Sequence, residues 1–140
     1  MSDVDIIDRS VEKTNVWLND LCEELGDDDR RAAYRVLRAY LHAVRDRLMV
    51  NEAAQLAAQL PELIRGIYYE GWVPARTPLT YRSVDEFLQR VAAEAQLKGE
   101  TEASYACSAA ARVMRRHVSA GELDDVMAVF PEQMRPVLAG

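Results

Sequence analysis

The sequence can be laid on itself. A shift of about 70 positions superposes the second half of the chain on the first without a gap. Trp17 then meets Phe87, Leu18 meets Leu88, Glu24 meets Glu94, Ala33 meets Ala103, and Ala39 meets Ala109. Arg45 meets Arg115 and Glu52 meets Glu122, and the run Leu60-Pro61-Glu62 with Arg65 meets Phe130-Pro131-Glu132 with Arg135. About ten identities in fifty-odd positions is a modest score, but helix boundaries and apolar positions coincide as well. Self-similarity at a fixed period marks units that bury their apolar faces against a neighbouring copy. The expected architecture is therefore all-α: two tandem repeats of about four helices each, packed as one pseudo-twofold domain. Repeat 1 is placed at 10–72, a linker at 73–82, and repeat 2 at 83–140.

Apolar residues recur at three- and four-residue spacing throughout, and no stretch alternates long enough to read as a strand. Residues Met1 to about Arg9 carry mixed charge without a convincing cap and read as a frayed lead-in. From Ser10 to Leu25, Val11, Leu18, Leu21, Cys22 and Leu25 form one stripe, with Trp17 at its edge, and Gly26 stops the helix. Asp27-Asp28-Asp29 supplies a cap and a negative first turn for the next helix. It lacks the spaced ligands, central glycine and distant glutamate of a calcium loop. In the helix from Asp29 to Leu48 the buried face is Ala33, Leu37, Tyr40, Leu41, Val44 and Leu48. Asn51 opens a third helix. Ser83-Val84-Asp85-Glu86 and Ser119-Ala120-Gly121-Glu122 read as capping boxes of later helices.

The junction between the halves, LPELIRGIYYEGWVPARTP from Leu60 to Pro78, reads as a built corner. Pro61 and Glu62 suit a helix start, and Gly71 suits a left-handed helix stop. Trp72 is placed to fold back onto Ile67, and Pro74 prevents the helix from resuming. The paired units, each closing in Leu/Phe-Pro-Glu-x-x-Arg, with GIYYEGWVP at the junction and SVDEFLQRV opening the second unit, resemble the bacterial family called domain of unknown function 2267. The resemblance runs from about Thr14 to Leu138. It implies an all-helical two-repeat domain in a bacterial protein, and it implies no reaction, cofactor or catalytic residue. In the second unit Ala109, Ala110 and Ala111 stand where the first has Ala39, Tyr40 and Leu41, so the second long helix is slimmer. That allows closer helix approach or leaves a groove.

The net charge of −6 argues against non-specific nucleic-acid binding, which needs a basic field. No apolar run reaches the ~20 residues of a membrane span, and the acidic N-terminus lacks a signal-peptide pattern. A cytoplasmic protein is expected. Cys22 and Cys107 sit in apolar helical patterns and read as core thiols. Neither His42 nor His117 has a partner at metal-ligand spacing, and no phosphate loop or nucleophile elbow occurs. The sequence predicts a non-enzymatic protein without cofactor or metal.

One feature stands against the acidic whole. Arg31, Arg35, Arg38, His42 and Arg45 are spaced four, three, four and three, within roughly an 80° arc of one helix. This ridge, with His42 read as a solvated residue, and the aromatic corner at Tyr69 and Trp72 are the candidate partner-binding residues. Guanidinium forks suit an acidic protein segment or a phosphate-bearing ligand. A helical interaction module acting in regulation or stress adaptation is the leading expectation. A bundle binding a small molecule or lipid beside the alanine-rich helix, Met114 and Met127 is the alternative. A homodimer is compatible with either.

Overall fold

In the computed structural model, which describes residues 4–140, the chain is helical from the outset. Helix α1 spans Val4–Leu25. It is followed by α2 (Arg30–Asp46), α3 (Val50–Ala57), α4 (Glu62–Tyr69), α5 (Val84–Ala95), α6 (Glu100–His117), α7 (Ala120–Val129) and α8 (Pro136–Ala139). Single 3₁₀ turns at Pro74–Arg76 and Glu132–Met134 complete the order, and no strand occurs among the described residues. None of these helices is long and apolar enough to cross a membrane.

The expected frayed lead-in is corrected from Val4 onward; Met1–Asp3 lie outside the described residues. A tertiary tie explains the order. Ser10 is buried, and its hydroxyl oxygen accepts the Leu63 N–H at 3.1 Å, pinning the N-terminal half of α1 to the start of α4. Two stripe positions are also revised: Trp17 is buried rather than at the edge, and Val11 is 43% exposed.

Local chemistry sets the remaining ends. The Asp29 carboxylate accepts from the Arg31 and Ala32 amides at 3.0 and 3.2 Å, so this acidic run caps α2. Gly26 and Gly71 adopt φ of 69° and 70°, the left-handed conformation that closes α1 and α4. Both expected capping boxes form only their serine arm, Ser83 accepting from Glu86 N–H and Ser119 from Glu122 N–H. Glu86 instead pairs with Arg90 at 3.4 Å, and the Ser119 amide donates to Gln59 Oε1 at 3.2 Å. The reciprocal arm appears where it was not foreseen, from the Met49 N–H to Glu52 Oε1 at 2.9 Å.

The two long helices sit at the centre. α2 packs against α1, α4, α5 and α6, while α6 packs against α1, α2, α5 and α8, and α3 meets α7. One contiguous apolar core results. Tyr40, Phe87 and Phe130 form an edge-to-face chain through it, at 6.1 and 6.4 Å between ring centroids. The buried hydroxyls have partners: Tyr40 donates to the Val137 carbonyl at 3.0 Å and Tyr68 to the Ala53 carbonyl at 2.8 Å. Burial pushes both phenols above their ordinary ionisation range, which keeps them donors. Cys107 is buried with its thiol pushed up to about 12, consistent with a core role.

Charge joins α1 to α6. Arg112 Nε donates to Glu24 Oε2 at 2.6 Å, Arg116 reaches both Glu24 and Asp20, and His117 Nε2 lies 2.7 Å from Asp20 Oδ2. The Arg112 hydrogen bond, above all, holds the Glu24 carboxyl below its ordinary range. A depressed carboxylate stabilises the fold above its unfolded value of about 4.3 and loses that contribution as pH falls through the folded value.

Two predictions follow from this packing. Tyr40→Phe leaves the Val137 carbonyl unpaired in the core and should lower the urea-unfolding free energy by about 1–2 kcal/mol. Glu24→Gln should melt below wild type at pH 7, with the gap closing as acid protonates Glu24; a gap independent of pH would disprove the ion-pair origin.

Candidate functional site

The ridge begins at solvent and ends in the interior. Arg31 is exposed, Arg35 and Arg38 are half-buried, and His42 and Arg45 are only 6% and 3% exposed. The expectation of a solvated ridge, and of His42 as a surface residue, is therefore corrected. The reason is positional: α4 and α5 lie over the very face of α2 that carries these cations.

What these buried side chains meet is the end of α4. Arg45 Nη1 donates to the carbonyls of Tyr68 and Glu70, each at 2.7 Å, and its Nε donates to Asp46 Oδ1 at 2.8 Å. His42 Nε2 donates to the Ile67 carbonyl at 2.7 Å, and its Nδ1 lies 2.8 Å from Glu94 Oε2. Arg38 spans Glu70 and Glu94, at 3.4 and 3.2 Å. The Glu70 hydrogen bond in particular raises the Arg38 pKa, so this side chain is a permanent cation. The last carbonyls of a helix are unpaired acceptors at the negative end of its dipole, where cations are favoured. Two ridge residues, His42 and Arg45, thus close α4 immediately before Gly71 while Arg38 holds the Glu70 side chain, bringing together the two features that the sequence separates by a third helix.

Beyond the clamp stands the corner. The Trp72 N–H donates to the Tyr69 carbonyl at 3.1 Å, and the indole stacks on the Tyr69 ring at 5.2 Å with 30° between planes. Tyr69 in turn meets Tyr68 edge-on at 5.3 Å. Both Tyr69 and Trp72 keep part of their surface in solvent. Among the described residues, Arg35 Nε and Trp72 Nε1 are buried donors without an acceptor.

Sequence reasoning missed the residues that hold the linker. Tyr81 lies between two guanidinium groups, Arg47 at 5.3 Å and Arg90 at 5.0 Å from its ring centroid. Arg47 also donates to the Leu79 carbonyl, and the Leu79 N–H donates to the Asp46 carbonyl at 2.7 Å. Burial pushes the Tyr81 phenol up to about 12. The only signal in the sequence was an aromatic between polar linker residues, which does not identify its partners. Arg65 donates to the Ala57 and Leu60 carbonyls at the end of α3, at 2.8 and 2.9 Å.

Arg45→Met would strand the buried Tyr68 carbonyl, the part-buried Glu70 carbonyl and Asp46. It should cost about 3 kcal/mol in urea unfolding and shift Trp72 emission to the red as the corner loosens. Arg45→Lys should recover only part of this, because one ammonium cannot reproduce the fork.

A family model described as "Uncharacterized conserved protein (DUF2267)" matches residues 14–137. No curated protein matches the chain. The matched span takes in both long helices, the clamp and the aromatic corner, and the protein belongs to the DUF2267 family.

Proposed function

We propose that the chain is a duplicated helical unit, folded about a pseudo-twofold axis, that serves as a non-enzymatic protein-interaction module. Element positions support the duplication. Adding 70 to the bounds of α2 (30–46) and α3 (50–57) gives nearly those of α6 (100–117) and α7 (120–129). Adding 70 to Leu25, the last residue of α1, gives Ala95, the last residue of α5. The packing supports it too. Exchanging α1 with α5 and α2 with α6 turns the α1–α6 contact into α5–α2 and the α1–α2 contact into α5–α6, all of which occur. Even a side-chain contact has its counterpart: His42–Glu94 corresponds to Arg112–Glu24 after the same shift.

The observation that carries the interaction reading is the half-exposed Tyr69–Trp72 stack at the end of α4, which His42 and Arg45 hold from the buried end of the ridge. Aromatic and arginine side chains held in one conformation lose little entropy on binding and are enriched among residues that dominate interface energetics. Arg31 and Arg35 supply charge for an acidic segment. Arg38, His42 and Arg45 fix the platform rather than contact the partner. The enclosed cavity beside Met114 measures only about 20 Å³, which favours a surface over an interior ligand. His42 has both ring nitrogens engaged, so it is not available to move a substrate proton.

The test is affinity capture from the native host by wild type, by Arg31→Glu with Arg35→Glu, and by Trp72→Ala, each checked for unchanged helicity and melting. Both variants should lose a partner that wild type retains. Equal recovery by all three would remove the corner and ridge end from consideration.

A further inference from the structure

His42 is held between two acceptors. Its Nε2 lies 2.7 Å from the Ile67 carbonyl oxygen, and its Nδ1 lies 2.8 Å from Glu94 Oε2. A carbonyl can only accept, so Nε2 carries a proton. In a neutral ring Nδ1 would then be a lone pair, set at hydrogen-bond distance against an ionised carboxylate that can also only accept. The contact therefore needs one proton more than a neutral imidazole and a carboxylate supply between them.

The charges around the ring leave room for that proton. From α2 itself come Arg38, Arg45 and Asp46, from the end of α4 comes Glu70, and from α5 come Glu86, Arg90 and Glu94. Arg45 pairs with Asp46, Arg90 with Glu86, and Arg38 with Glu70. Glu94 is the carboxylate left over, which Arg38 only shares at 3.2 Å. On the other helices packed against α2, the facing charges of α1 and α6 are spent on each other, Glu24 with Arg112 and Arg116, and Asp20 with Arg116 and His117.

We infer that the extra proton is held between His42 Nδ1 and Glu94, and that the pair is a pH-operated latch on the aromatic corner, closed while the proton is present and released when base removes it. The ring is 6% exposed, but an open cleft of about 430 Å³ beside Ala39, Ala43, Arg90 and Ala93 reaches both His42 and Glu94 and gives the proton a way out. Once it has left, the ring can no longer serve both acceptors. Either Nε2–H stays on Ile67 and Nδ1 repels Glu94, or the remaining proton moves to Nδ1 and the bare Nε2 repels the Ile67 carbonyl. Both outcomes push the ring from its seat against α4. Ile67 stands two residues before Tyr69, whose carbonyl accepts the Trp72 N–H and whose ring carries the indole. Arg45 keeps its two carbonyls throughout, so the end of α4 loosens without unfolding. The sign follows from the proton count: the folded pair binds a proton that the unfolded chain gives up, so its stabilisation is present on the acid side and is lost as pH rises. What the latch regulates rests on the interaction reading; that it operates does not.

The experiment titrates the full chain, carrying ¹⁵N-labelled histidine and 5-fluorotryptophan, from about pH 5 to about pH 9. The sequence holds two histidines and two tryptophans, so single substitutions assign every resonance. At about pH 6 the His42 ring should show both nitrogens protonated. As base removes one proton, the Trp72 fluorine resonance should move with the same midpoint as the His42 ring. Trp17, stacked on His117, should follow that ring instead. Glu94→Gln is the deciding variant, and the partly exposed position makes it safe for the fold. A glutamine amide can donate to Nδ1 of a neutral ring, so Nε2–H stays on Ile67 without an extra proton. The Trp72 resonance should then hold its low-pH wild-type position across the titration. His117→Phe should leave the Trp72 response as it is in wild type. A His42 ring with a single proton at about pH 6, a Trp72 resonance indifferent to the His42 titration, or an undiminished response in Glu94→Gln would overturn the latch. No partner enters these measurements, so failure of the capture test leaves the latch standing, and failure of the latch leaves the corner as a surface.

Discussion

A guanidinium buried to 3% exposure dictates how the first half of this protein is put together. An unpaired charge in that position would cost several kcal/mol, so Arg45 is tolerable only because carbonyls and a carboxylate surround it. The carbonyls come from the last turn of α4, which has no intrahelical partners for them. Each side solves the other's problem. The end of α4 needs donors where Gly71 turns the chain away, and α2 needs acceptors on the face that α4 covers. His42 repeats the exchange at Ile67 and Arg38 extends it to the Glu70 and Glu94 side chains. Because Glu94 belongs to α5, the same cluster also ties the halves of the chain together.

A pair of the His42–Glu94 kind also joins α1 to α6. Glu24 on α1 receives Arg112 from α6 as Glu94 on α5 receives His42 from α2. In both places the first helix of one half lies against the long helix of the other, and the pair seals the edge of an apolar contact. Such partly exposed pairs add little to stability individually. Their effect is on specificity. A helix that slid by one turn would set carboxylates against carbonyl-bound cations already satisfied, so charge fixes the register that apolar packing alone leaves loose.

Helices, their ends and most of the core were legible in the sequence, because these depend on spacing and on capping residues within a few positions. Gly26, Asp29, Gly71, Ser83 and Ser119 all act where local chemistry puts them. What failed was inference from one helix to its surroundings. The arc from Arg31 to Arg45 is polar, and a polar arc reads as solvated when the helix is judged alone. α2 is instead wrapped on several sides, and its C-terminal half is buried almost all round from Ala39 to Arg45. The glutamine that replaces Glu122 at the Ser119 amide comes from 60 residues away, and the hydroxyl that orders α1 meets an amide 53 residues away. Neither is visible in a window of local sequence.

The candidate site itself was half legible for the same reason. Tyr69 and Trp72 stood out as aromatics at a corner, and the arginines stood out as a ridge, but nothing in the spacing said that they meet. Their meeting changes what each can do. Side chains that close α4 are no longer free, so the open part of the ridge contracts to Arg31 and Arg35. In return, the aromatic pair sits on a helix end held by Arg45 and His42 and turned by a left-handed glycine. An aromatic platform on a flexible linker would lose conformational freedom each time it bound. Anchored to the central helix, this one has lost that freedom already on folding, which is what favours it as the surface of the proposed interaction.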